Sequence, residues 1–144
     1  MKILSSGFPE DEYIPKKYSC EGDNISPPLT FNGMPRGTKS LALIMEDPDA
    51  PSGTFDHWIV WNIPPETEEL PEDADLPLLG VNSKKETAYM GPCPPPGKPH
   101  RYFFKLYALD KMLDLKAGSN KSALQKAMDG HILEEAELIG LYKR

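Results

Sequence analysis

Three runs of strand-forming residues carry most of the hydrophobic pattern of this chain. Ser40–Glu46 (Ser-Leu-Ala-Leu-Ile-Met-Glu) and His57–Ile63 (His-Trp-Ile-Val-Trp-Asn-Ile) are nearly continuous apolar stretches between turn residues, which predicts two buried strands. Alternation along the second puts His57, Ile59 and Trp61 on one face, with the histidine at its rim. From His100 to Leu109, alternation separates His100, Tyr102, Phe104 and Leu106 from Arg101, Phe103, Lys105 and Tyr107. Trp58, Trp61, Phe103 and Phe104 are expected in the core. An extended Pro-Pro-Leu-Thr-Phe segment ends at Phe31, and the Asn32-Gly33 turn signal after it predicts a meander leading into the Ser40 strand.

The period changes near Ser119. Ser119–Gly130 has a polar N-cap, an apolar stripe of Leu124, Ala127 and Met128, and a terminating Gly130, which predicts one short helix. The tail from His131 to Tyr142 fits two periods. A strand would align Ile132, Ala136, Leu138 and Tyr142, and a helix would group Ile132, Ala136 and Ile139. Between Ile63 and Thr87 the Pro- and Glu-rich sequence predicts a long surface connection with room for one short turn of helix. Residues 66–75 in particular are expected to be exposed and dispensable for binding.

Sixteen prolines and eleven glycines in 144 residues favour short strands and irregular loops over long helices. That length suits a single domain, residues 1–144, with one core. No stretch approaches the length of a membrane span, and the N-terminus lacks the apolar centre of a secretion signal, so a soluble cytoplasmic protein is expected. Cys20 and Cys93 have neither metal-ligand spacing nor the number of a disulfide framework, and they are expected as free thiols, a single bridge being the alternative. Residues 66–86 hold seven acidic residues against Lys84 and Lys85, so nearly all of the net charge of −6 lies in one segment. With no basic stripe elsewhere, nucleic acid is excluded as a partner.

Candidate chemistry lies at two proline-framed rims. Asp47-Pro-Asp-Ala-Pro-Ser precedes His57, and Gly91-Pro-Cys-Pro-Pro-Pro-Gly-Lys-Pro precedes His100. Proline fixes φ and keeps the residue before it extended, so Asp47 can be aimed without help from a helix. A carboxylate from Asp47 or Asp49 accepting from one imidazole nitrogen would fix the tautomer and leave the other nitrogen for a ligand, a geometry suited to phosphate or carboxylate. The same residues leave three alternatives open. These are structural histidines, a two-histidine, one-carboxylate metal site, and a Ser52 or Ser26 triad, the last without any Gly-x-Ser-x-Gly elbow. His131 is expected against the helix C-terminus or solvent.

Asp47-Pro-Asp-Ala-Pro-Ser52 with His57-Trp-Ile-Val-Trp-Asn62, and Gly91 through Tyr102, resemble the two signature segments of the phosphatidylethanolamine-binding protein family, also called Raf kinase inhibitor protein-like. Tyr18–Leu29 and Ala136–Arg144 resemble its short bacterial and archaeal branch. The resemblance implies a mainly β fold, an antiparallel β-sandwich of two sheets with Greek-key connections and one or two short helices, and it makes the tail a strand. It implies a small anion pocket matched by Asp47, Asp49, Pro51, His57, Gly91, Pro94 or Pro95, His100 and Tyr102, and an Ala50–Pro51 peptide in cis. It implies non-enzymatic binding of a phosphate-bearing ligand with no cofactor or metal, and a regulatory or inhibitory partner such as a kinase or protease, a homodimer being compatible with it. A hydrolase or lyase using His57 and His100 as acid and base is the alternative. Ending at Arg144, the chain is expected to lack the C-terminal helix of animal members, which bears on both phospholipid closure and kinase inhibition.

Overall fold

Leu41, Leu43 and Met45 point to one side of their strand and Ala42 and Ile44 to the other, and all five are fully buried. A strand with two apolar faces needs cover on both, and the fold is built around that requirement. In the computed structural model, which describes residues 1–144, the elements are β1 (Lys2–Leu4), β2 (Leu29–Asn32), β3 (Ser40–Asp47), β4 (Phe55–Ile63), β5 (Glu69–Leu70), β6 (His100–Leu109), α1 (Lys121–Met128) and β7 (Ile132–Tyr142). The larger sheet has the order β4-β3-β6-β7 and the smaller one β1-β2-β5, with every pairing antiparallel.

One core layer lies between the sheets, where Leu41, Leu43, Met45, Trp58, Val60, Phe104, Leu106 and Leu138 meet Ile3, Phe8, Leu29 and Phe31. The second lies on the opposite face of the large sheet, where Ala42, Ile44, Ile59, Trp61 and Leu109 pack under Leu113 and the Leu124–Met128 stripe of α1. The helix has the expected boundaries. Asn120 caps it by accepting from the Ala123 N–H, and the chain leaves it through Gly130 at φ +80°. The tail is a strand pairing with β6 along its whole length, burying Leu138 and Tyr142 while Ile132 stays exposed.

Two expectations about connections fail. Asn32-Gly33 does not open a meander, because β2 and β3 belong to different sheets and residues 33–39 carry the chain across. The acidic segment holds no helical turn. Leu70 is buried and draws two residues into β5 against β2, leaving the glutamates around it outside. Phe103 is only half-buried, since it lies on the outer face under the cations of Arg101 and Lys105.

Candidate functional site

The end of β3 carries Asp47, which is 3% exposed and uses both carboxylate oxygens. Oδ1 accepts from the Asp49 N–H at 2.8 Å, a turn that proline and aspartate favour, and Oδ2 accepts from His100 Nδ1 at 2.7 Å. The chain then reverses through a turn closed by the Gly53 N–H donating to the Ala50 carbonyl, with Gly53 at φ +105°. That turn makes the reversal without a cis bond; all peptide bonds are trans, so the cis Ala50–Pro51 expected above is incorrect.

His57 does not share a face with Ile59 and Trp61. Met45 pairs with Trp58 and Glu46 with Asp56, so His57 is an extra residue in a β-bulge, and the alternation restarts beyond it. The bulge turns the imidazole to the Asp47 side, where its ring meets the edge of Tyr102 at 5.2 Å between centroids and lies 4.8 Å from Phe55. Met90 clamps the residue twice. Its N–H donates to the His57 carbonyl at 3.0 Å, and its carbonyl accepts from His57 Nδ1 at 2.7 Å.

Met90 is held in turn because its loop docks on residues 18–24. The Gly91 N–H donates to Asn24 Oδ1 at 2.8 Å, the Tyr89 hydroxyl to the Tyr18 carbonyl at 2.8 Å, and the Cys20 N–H to the Pro92 carbonyl at 3.1 Å. This docking sets Cys20 and Cys93 side by side, Cα atoms 5.4 Å apart, and they form a disulfide rather than remaining free thiols. Counting and spacing cysteines could not reveal that two distant loops meet.

These pieces enclose a cavity of about 120 Å³. Asp47, Pro51, His57, Pro94, Pro95, His100 and Tyr102 line it, with Ala50, Phe55, Met90 and Cys93, which sequence reasoning had not singled out. At its wall the Tyr102 hydroxyl is buried beside the Asp47 carboxylate, with no well-formed hydrogen bond. Burial first, and then the Asp47 carboxylate, push that phenol's pKa far up, so it is a donor at any physiological pH. Burial likewise pulls His57 below its ordinary value. No lysine or arginine lines the cavity.

The phosphatidylethanolamine-binding protein family model matches residues 4–143. This chain belongs to that family. It is 49% identical to a UPF0098 protein of Methanothermobacter thermautotrophicus, over 100% of this chain and 99% of that one, and 47% identical to one from Aquifex aeolicus, over 100% and 89%. Among solved structures it resembles a phosphatidylethanolamine-binding protein homologue of Chlamydia trachomatis, with a TM-score of 0.95, 46% identity and coverage of 99% and 97%. It also resembles Escherichia coli YbcL, described as a new member of the mammalian PEBP family, with a TM-score of 0.93, 33% identity and coverage of 99% and 98%.

Two of the residues matched to the pocket of this phosphatidylethanolamine-binding protein family lie outside the cavity. Asp49 faces outward, where its carboxylate takes Arg101 Nε and Nη2 and the Arg101 backbone N–H, all at 2.9 Å. The Arg101 guanidinium holds the carboxyl down at about 2. Gly91 stands behind the wall, where a Cβ would fall on the Tyr18 carbonyl oxygen; the backbone there needs the absence of a side chain. The two-histidine, one-carboxylate metal arrangement does not form, since no three His, Cys, Asp or Glu side chains are grouped to hold an ion.

Proposed function

We propose that the protein binds a small phosphoryl-bearing anion in this cavity, as a binding module rather than a catalyst. Membership of a family named for phosphatidylethanolamine binding supports a ligand-binding role in general. The observation that carries the anionic reading is the Tyr102 hydroxyl, which is buried beside the Asp47 carboxylate without a well-formed hydrogen bond to it. A buried donor that is poorly satisfied is costly, and a ligand oxygen would reduce that cost. Beside it, the His100 Nδ1–H is held by Asp47, so protonation turns the remaining nitrogen, Nε2, into a charge-assisted donor. The volume of about 120 Å³ suits a phosphoryl or similarly compact group. No Ser, Thr or Lys side chain and no free thiol lines the cavity, which favours binding over covalent catalysis.

Titration with phosphorylethanolamine at about pH 5.5 and about pH 8.5 tests this, the affinity being higher at the lower pH. His100→Ala and Tyr102→Phe should weaken binding, the former by roughly ten- to a hundredfold, the equivalent of about 1.5–3 kcal/mol for a charge-assisted hydrogen bond. Equal affinity in wild type and His100→Ala would exclude the reading, and turnover of the phosphoester would replace binding by hydrolysis.

A further inference from the structure

The two imidazoles present opposite polarity to a ligand. A carbonyl oxygen can only accept, so the His57 Nδ1 that meets Met90 at 2.7 Å carries the ring hydrogen. Burial opposes a second proton on that ring. The Met90 and Gly91 carbonyls and the Asp47 and Asp56 carboxylates pull the other way and are outweighed. Neutral, with its hydrogen on Nδ1, His57 has only the Nε2 lone pair left to offer. His100 differs, because its Nδ1 partner is the carboxylate of Asp47 and the ring is 12% exposed at the mouth. Asp49 and Arg101 also lie near it but neutralise each other outside the cavity. The cavity therefore combines the Tyr102 donor and, whenever its ring carries a second proton, a His100 donor, with one acceptor, His57.

Resting on the anion-binding reading above, we propose that His57 acts as a donor–acceptor filter. The pocket takes an oxyanion that itself carries a hydrogen, such as hydrogen phosphate or a phosphomonoester monoanion, and rejects one fully deprotonated near neutral pH, such as sulfate. Against a protonated oxygen the Nε2 lone pair gains a hydrogen bond. Against a bare one it faces a second lone pair. Tetrahedral shape and size are shared by the two anions, so the hydrogen, with the charge it offsets, is what distinguishes them.

Calorimetric titration of the wild-type protein with inorganic phosphate and, separately, with sulfate at about pH 6, near the second ionisation of a phosphomonoester, reads the filter directly. Phosphate should bind about tenfold tighter or more. In His57→Gln, whose amide can turn an N–H into the cavity, the ratio should fall to about unity, chiefly through a gain in sulfate affinity. Equal affinities in the wild-type protein, or an unchanged ratio in a folded His57→Gln, would overturn the filter while leaving an anion site in place. If His57→Gln does not fold, the wild-type protein is titrated with methylphosphonate and methanesulfonate, both singly charged at that pH and only the former carrying a hydrogen; equal affinities there overturn the filter. Binding of neither anion, nor of phosphorylethanolamine, would remove the anion-binding reading and the filter together.

Discussion

The two histidine rims look alike in sequence, each a proline-stiffened loop followed by a histidine opening a strand, yet they are built differently. His57 is an extra residue in a bulge, 3% exposed, gripped by a loop that is itself docked and disulfide-linked. His100 sits in regular register opposite Tyr142 and is held by the single side chain of Asp47. One ring is fixed by backbone and belongs to the packing; the other is fixed by a carboxylate and stands at the mouth of the cavity. Matching motifs around two residues thus do not imply matching roles. What decides the role is whether the partner atom is a carbonyl, which demands a hydrogen, or a carboxylate, which also rewards a charge.

The comparison breaks most severely at Gly91. Gly91→Ala should lower stability by about 3–4 kcal/mol, because the methyl group would displace the loop that clamps His57, and a denaturant midpoint would register it. Next comes the contrast between the rings. His57→Ala should cost about 2–3 kcal/mol of stability by leaving a gap beside Tyr102 and an unpaired Met90 carbonyl, whereas His100→Asn, whose amide can keep a donor on the buried Asp47 carboxylate, should cost under about 1 kcal/mol. Equal losses in the two variants would contradict the division of roles.

Acid sharpens the same comparison. A base whose folded pKa lies below its unfolded value of about 6.5 favours the unfolded state as pH falls, so His57 should erode stability on acidification below about pH 6.5. Asp49, held at about 2 against an unfolded value of about 3.9, contributes stability above about pH 4 that is lost as pH falls toward 2. With the Asp49–Arg101 pair partly exposed, that second contribution stays under about 1 kcal/mol. His57→Gln should remove the upper step of the stability–pH curve and Asp49→Asn the lower. The smallest effect is expected in the acidic segment. Replacing Glu68, Glu69 and Glu72 together by Gln should leave anion affinity within about twofold, since none of them lines the cavity, although loss of the Lys17–Glu72 contact should be detectable at low salt.

Strands β3, β4 and β6, the helix and the inward set His100, Tyr102, Phe104 and Leu106 were legible in the sequence because each follows a local period. The family resemblance, carried by two separated motifs, supplied the sandwich and the strand character of the tail, which periodicity left undecided. What escaped was non-local. The face of His57 depends on a bulge set by pairing with β3, and the outward turn of Asp49 on the Arg101 fork arriving from β6. Likewise, β5 and the Cys20–Cys93 bond depend on segments that meet only after folding. Met90 carries no chemical signal in the sequence at all, since it acts through its backbone.

The Cys20–Cys93 bond turns the 73-residue separation between those positions into a covalent ring that contains β2 through β5 and the whole acidic segment. In the chain-entropy account, closing a ring of that length stabilises the fold by about 4 kcal/mol. It also changes what a cut means. A protease that nicks the exposed glutamate-rich stretch would leave two polypeptides that still travel as one molecule on electrophoresis and separate only when a reductant is added.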